Sequence, residues 1–121
     1  MRVLIVEDDP DGAEMVEMML SSVGIETVVA DSAETALAEL DAAPDDFNAL
    51  IVDLALPEMD GLELLQVIRQ RSRVSHLPTM AVTAYHTPEL KARTLDAGFD
   101  GYFAKPLDTT LFVQALERLL G

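Results

Sequence analysis

The sequence predicts an α/β fold, a doubly wound parallel sheet of five strands with five helices on its two faces. Two observations carry that prediction. Short apolar runs alternate with helical patterns along the whole chain, about five times over. Four of those runs stop at a polar residue. Val3-Leu4-Ile5-Val6 ends in Glu7-Asp8-Asp9, Ala49-Leu50-Ile51-Val52 in Asp53, Met80-Ala81-Val82 in Thr83, and Gly101-Tyr102-Phe103-Ala104 in Lys105-Pro106. An alternation this regular favours right-handed crossovers and an open sheet.

The elements follow in order. The first strand is expected near 2–6 and the first helix near 11–23, where Met15, Val16, Met19, Leu20 and Val23 form a stripe at i, i+4 spacing read as core-facing. Gly24 suits the left-handed position that closes that helix. The second strand is expected near 25–30 and the second helix near 32–42, opened by Asp31 and Glu34 at capping-box spacing. Asp60 and Glu63 repeat that spacing between a third strand near 48–53 and a third helix near 61–71. A fourth strand near 79–83 leads to a helix near 88–97, with Thr87 as N-cap, Pro88 in the first turn and Gly98 at the exit. The fifth strand lies near 101–104. Asp108 caps the last helix, near 108–120, whose Leu111, Phe112, Ala115, Leu116 and Leu119 share one side.

Composition narrows the function classes. With 121 residues, half of them apolar, the chain reads as one ordered domain with a real core. There is no cysteine, hence no disulfide and no thiolate metal site, which fits a reducing cytoplasm. No run reaches the roughly 18 apolar residues of a membrane span, and no signal-peptide pattern precedes the first strand. The formal net charge of −14 disfavours direct binding to nucleic acid or to an anionic membrane. The one dense basic stretch, Arg69, Arg71 and Arg73, reads as a solvated helix end where cations suit the macrodipole.

In open parallel sheets ligands bind beyond the carboxyl ends of the strands. Glu7, Asp8, Asp53, Thr83 and Lys105 should therefore converge on one crevice. Two unit charges ~5 Å apart repel by about 3 kcal/mol at an effective dielectric of about 20. Three carboxylates at neighbouring strand ends thus need a proton or a cation. Hard oxygen ligands without His or Cys select Mg²⁺, Mn²⁺ or Ca²⁺, and a site with few protein ligands suits Mg²⁺. With Lys105 the carboxylates sum to a charge of −2, which one divalent cation cancels. The neutral site can then admit a phosphoryl group. Thr83 supplies a hydroxyl donor and Lys105 a point charge for its oxygens. Asp53, alone at its strand end, is the better candidate nucleophile. Taken singly, each residue has a plainer use as a cap, a turn residue or a surface charge. Five such residues at four strand ends make that plainer use a poor account of the set.

With these residues assembled, the chain resembles the receiver domain of two-component response regulators. VLIVEDD, IVDLALPEMDG, AVTA and GYFAKP carry the resemblance, which spans Arg2 to Leu120. It implies a flavodoxin-like sheet in the order 2-1-3-4-5 and a single receiver domain over residues 1–121, with no effector domain in the chain. It also implies a phospho-accepting signalling switch rather than a turnover enzyme. The phosphoryl group would come from a sensor histidine kinase or a histidine phosphotransfer protein and pass to Asp53. Glu7, Asp8, Asp53 and the backbone carbonyl of Ala55 would hold Mg²⁺, with Mn²⁺ an alternative. Asp8 would be the direct ligand of the acidic pair, and Glu7 would act through water.

By the same resemblance Thr83 is the switch hydroxyl, Tyr102 the switch aromatic, Lys105 the phosphate-binding lysine, and Lys105-Pro106 a cis peptide bond. Ala55 and Tyr85 line the path of the hydrolytic water. Alanine cannot orient that water and tyrosine can shield the phosphoryl group, which together imply a long-lived phosphorylated state. The output would be a downstream protein effector or an attached output domain. The face of the fourth helix, fifth strand and fifth helix would serve partner binding or a homodimer, and a kinase would dock near the first helix and the loop after the fifth strand.

Three other readings fit less well. A phosphatase of the haloacid dehalogenase type needs a second Asp two residues after its nucleophile, where this chain has Ala55. A flavin-binding carrier needs a hydroxyl- and glycine-rich loop after the first strand, where Glu7-Asp8-Asp9-Pro10-Asp11 would repel phosphate. A degenerate receiver would lack one of the acceptor, the acids, Thr83 or Lys105, and all are present.

Overall fold

The computed structural model describes residues 1–121. Ten elements alternate: β1 (Arg2–Val6), α1 (Pro10–Ser21), β2 (Glu26–Ala30), α2 (Ala33–Ala42), β3 (Ala49–Asp53), α3 (Gly61–Arg69), β4 (Thr79–Thr83), α4 (Pro88–Asp96), β5 (Gly101–Ala104) and α5 (Thr109–Leu120). The strands are all parallel and ordered β2-β1-β3-β4-β5, as the resemblance implies. β3 and β4 are buried along their whole length, whereas β2 and β5 form the partly exposed edges.

Alternation along the strands divides the core in two. Val3, Ile5, Ala49, Ile51, Met80 and Val82 pack with Val16, Met19 and Leu20 of α1 and Phe112, Val113 and Leu116 of α5. Leu4, Val6, Leu50, Val52 and Ala81 pack on the opposite face with Ala33, Ala36, Leu37 and Leu40 of α2 and Leu64, Leu65 and Ile68 of α3. Leu90 of α4 and Tyr102 of β5 lie against this second core only in part.

Most start and stop signals act as the sequence suggests. Asp60 and Glu63 form a reciprocal capping box, Thr87 caps α4 ahead of Pro88, and Asp108 caps α5. Gly24 and Gly98 have φ of 78° and 113°.

Three expectations need correction. The cap of α2 is Ser32, not Asp31: the Ser32 hydroxyl accepts the Thr35 N–H at 3.0 Å, and Asp31 instead accepts the Thr35 hydroxyl at 3.2 Å. Both residue types cap well, and the inward register of Ala33, Ala36, Leu37 and Leu40 sets the start one residue later. Met15, Val23 and Leu111 do not face the core; Met15 is 53% and Leu111 58% exposed. The buried arc of α1 is filled by Ala13, Val16, Met19 and Leu20, and Val23 lies beyond the helix end. Finally, Arg69 is not a solvated helix end. Its guanidinium donates to the Ser75 carbonyl (3.1 Å), the Leu77 carbonyl (2.9 Å), the Thr79 hydroxyl (3.0 Å) and the Gly98 carbonyl (3.2 Å). Arg71 pairs with Asp41 and Arg73 with Asp45, both just past or at the end of α2. No helix is long and apolar enough to cross a membrane.

Candidate functional site at the carboxyl edge of the sheet

Strand register sets which side chains meet. Val6 lies opposite Val52, and Asp53 opposite Val82, which in turn lies opposite Phe103. Glu7 therefore stands level with Asp53. Glu7, Asp53 and Lys105 each come two residues after a strand residue that packs on the α1/α5 face, namely Ile5, Ile51 and Phe103. Thr83 and Tyr102 have the other parity. Thr83 follows Ala81, and Tyr102 lies against the α2/α3 core. The site is thus built from two sets of side chains set out on opposite faces of one sheet edge.

The first set is compact. Carboxylate oxygens of Glu7, Asp8 and Asp53 lie within 4.8 Å of one another. Glu7 and Asp53 are buried and Asp8 is exposed. The Lys105 ammonium donates to Glu7 Oε1 and, at 2.9 Å, to Asp53 Oδ2. The Ala55 N–H donates to Asp53 Oδ1 at 2.8 Å, so both oxygens of Asp53 are engaged and its plane is fixed. Asp9 does not join the cluster. It caps α1, where its Oδ1 accepts the Asp11 N–H at 3.2 Å. Asp8, not Asp9, is the acid that lies with Glu7 and Asp53.

Two glycines let the backbone close around these acids. A Cβ on Gly12 would stand 2.8 Å from Glu7 Oε1, so the first turn of α1 seals one side of that carboxylate. A Cβ on Gly61 would stand 2.8 Å from Leu54 Cα and 2.9 Å from the Asp53 carbonyl. The start of α3 is thereby docked directly on the backbone that follows Asp53. The Lys105-Pro106 peptide bond is cis.

The electrostatics follow from this geometry. Burial, reinforced by the neighbouring Asp53 and opposed by Lys105, pushes the Glu7 carboxyl up to about 7. Burial alone would raise Asp53 too, but hydrogen bonds with Glu7, the Ala55 N–H and Lys105 outweigh it and hold Asp53 below the usual carboxylate range. Burial works against the Lys105 charge, yet its bonds to Glu7 and Asp53 raise its pKa. The two carboxylates titrate together, and Asp53 is the one kept ionised.

The second set is looser. Thr83 is buried, and its Oγ1 accepts the Tyr85 N–H at 3.0 Å. Tyr102 is half-buried, and its hydroxyl meets His86 Nδ1 at 2.9 Å. Tyr85 is 73% exposed. Glu7, Asp8, Asp53, Thr83 and Lys105 thus lie at the carboxyl ends of their strands, Tyr102 lies within β5 level with Ala81, and Ala55 and Tyr85 expose their side chains. His86 went unmarked in the sequence, where a lone loop histidine before Thr87 carries no signal.

Comparison with known proteins adds the family. A family model described as the response regulator receiver domain matches residues 3–117. The chain belongs to this family. Among its relatives is the chemotaxis protein CheY of Pseudomonas aeruginosa, 32% identical over 98% of this chain and 95% of that protein. The transcriptional regulatory protein QseB of Haemophilus influenzae is also 32% identical, over 99% of this chain but 52% of that longer protein. Among solved structures, the chemotaxis protein CheY4 of Vibrio cholerae superposes with a TM-score of 0.88 at 29% identity, covering 98% of both chains. The receiver domain is a signalling switch of two-component systems, and the fold seen here is the CheY-like arrangement of five strands and five helices.

Proposed function

We propose that this receiver domain accepts a phosphoryl group from a phosphohistidine onto Asp53 and thereby changes the surface that it presents to partners. The observation that carries the reading is Asp53 itself, buried, held ionised and bracketed by Lys105 and the Ala55 N–H. An Asp53 oxygen attacks phosphorus in line, the P–N bond breaks, and the leaving imidazole keeps the electron pair and takes a proton. Such a transfer needs positioning and charge compensation more than acid–base chemistry. Lys105, already aimed at Asp53, meets the incoming phosphoryl oxygens.

The donor set suits a hard divalent cation such as Mg²⁺: three carboxylates within reach of one another, without His or Cys. Glu7, Asp8 and Asp53, with the Ala55 carbonyl, are the residues to hold it, Asp8 directly and Glu7 through water. When bound, the cation neutralises the charge that would otherwise repel the phosphoryl group.

A phosphorylated Asp53 offers new acceptor oxygens to the Thr83 hydroxyl. A charge-assisted hydrogen bond contributes about 1.5–3 kcal/mol, enough to shift a poised equilibrium by roughly tenfold to a hundredfold. Thr83 then draws the β4–α4 loop inward, and Tyr102 turns toward the space this opens. The α4-β5-α5 face changes shape for an effector, an attached output domain or a second copy. For the phosphodonor, α1 and the loop after β5 offer an apolar groove of about 590 Å³ lined by Met15, Met18, Pro106 and Leu107, with Asp11 and Glu14 at its rim.

The test is mass measurement after incubation with Mg²⁺ and a small acyl phosphate. One phosphate adduct on the wild-type chain, absent in Asp53→Asn, is the expected result. Steady phosphate release with no trapped adduct, in a chain whose Asp53→Asn variant still turns over, would overturn the reading.

A further inference from the structure

We infer that His86 is a positioning residue for the switch: from the β4–α4 loop it holds the hydroxyl of Tyr102 in the resting state, so that the aromatic is released only when the loop shifts. The inference rests on the phospho-switch reading above and identifies the contact that keeps the resting state in place.

His86 Nδ1 and the Tyr102 hydroxyl lie 2.9 Å apart. The two rings are 5.5 Å apart and tilted at 55°, so the contact includes ring packing as well as the polar bond. His86 is exposed and sits three residues after Thr83, immediately before the α4 cap Thr87. Tyr102 is anchored elsewhere, by its place in β5 and its packing against the α2/α3 core. The bond therefore joins two elements that the sheet does not otherwise tie at this point. On the loop side Thr83 Oγ1 accepts the Tyr85 N–H at 3.0 Å, and His86 is the next residue along the backbone after that turn. A pull on Thr83 is transmitted through that turn to His86 and loosens Tyr102.

The consequence is directional. Inward rotation of Tyr102 must break the bond to His86, so the bond stabilises the resting state against the switched one. A single neutral hydrogen bond of this kind biases such an equilibrium by a factor of about 2 to 12. Removing it should make the chain easier to phosphorylate, because phosphorylation and the switched state stabilise each other.

The experiment follows Tyr102 by NMR in the full chain, with tyrosine rings labelled and Tyr102 assigned by its loss in Tyr102→Phe. The rate of phosphorylation by a small acyl phosphate with Mg²⁺ is measured in parallel. In His86→Ala the Tyr102 ring resonances should move toward the positions they take in the phosphorylated chain, and phosphorylation should speed up by about 2- to 12-fold. His86→Asn, whose amide stands where Nδ1 does and can still bond the hydroxyl, should return both readouts most of the way to wild type. The double variant His86→Ala/Tyr102→Phe should behave like Tyr102→Phe alone. Unchanged ring resonances and rate in His86→Ala would overturn the inference, as would failure of asparagine to restore them or simple addition of the two effects. If the wild-type chain gains no phosphate, the proposed function fails instead. The positioning role is then decided by the ring resonances alone: a shift in His86→Ala reversed by asparagine supports it, and no shift overturns it.

Discussion

Helices α3 and α4 each run nine residues and lie over the same face of the sheet. α3 buries Gly61, Leu64, Leu65 and Ile68, and its first residue presses on the backbone after Asp53. α4 buries Thr94 alone, keeps Leu90 only half-covered and leaves Leu95 41% exposed. Each fully buried Leu or Ile contributes about 1.5–3 kcal/mol. A charge-assisted hydrogen bond to a new phosphoryl group contributes about the same as one such side chain. The proposed phosphorylation would therefore leave α3 in place but compete with what holds α4. One site has a fixed wall and a lightly held one, and the loop that carries Thr83 and His86 leads into the second.

The most damaging test of this asymmetry is a matched pair of truncations. Leu65→Ala should destabilise the chain by about 2–5 kcal/mol, because it empties a fully enclosed site in α3. Leu90→Ala in α4 should cost about 1 kcal/mol, since that side chain is already half in water. Denaturant unfolding with a common slope reads both. Equal losses would mean that α4 is docked as firmly as α3.

Next in size is Arg69→Met. The arginine at the end of α3 holds the Ser75 and Leu77 carbonyls and the Thr79 hydroxyl at the start of β4, and reaches the Gly98 carbonyl just beyond α4. Methionine keeps most of the stem but strands those acceptors. A loss of about 2–3 kcal/mol is expected. Amide exchange should quicken around Gly98 and Thr79 more than within Leu64–Ile68. Uniform quickening would show that Arg69 supports the whole fold rather than its mobile side.

How much of this was legible in the sequence depends on what each residue bonds to. Glu7, Asp53 and Lys105 could be placed because strand ends are written in the apolar runs, whereas the choice of Asp8 over Asp9 came from the family resemblance, since strand periodicity does not decide it. The Asp60–Glu63 cap could be placed because both partners are side chains at a fixed spacing. Arg69 could not: its partners are mostly carbonyls from Ser75, Leu77 and Gly98, and every residue type has a carbonyl. Asp31 and Ser32 are both good caps, so the choice fell to how α2 sits on the sheet. Met15 and Leu111 extend the apolar arcs of their helices beyond what the core covers, and only the packing shows where coverage ends. The pairing of His86 with Tyr102 joins a loop to a distant strand, and nothing local announces it.

The third test compares the two loops rather than the two helices. Ala55 begins the route to α3 and Tyr85 the route to α4, and both flank the proposed acceptor. Alanine cannot orient a water, and tyrosine would act there by shielding the phosphoryl group. Ala55→Asn supplies an amide on the fixed side of the site and should shorten the life of labelled phospho-Asp53 several-fold, measured as first-order loss of label. A wild-type chain that already sheds phosphate faster than Ala55→Asn would show that the water is positioned from the α4 side.

The smallest effect belongs to Thr94→Val. Thr94 is the one fully enclosed residue of α4, and its hydroxyl donates at 2.7 Å to the Leu90 carbonyl one turn back. Valine keeps the volume and leaves no donor stranded, because the hydroxyl itself is what departs. Stability should change by no more than about 0.5 kcal/mol, with a slight gain from the added methyl contact. If apolar contact is what α4 lacks, that methyl should dock it a little more firmly. The switched state then becomes harder to reach, and phosphorylation by a small acyl phosphate should slow by less than about threefold. A stability loss beyond about 2 kcal/mol would mean that the hydroxyl, not the scarcity of buried carbon, governs how α4 is held. The contrast with α3 would then be one of hydrogen bonding rather than of packing.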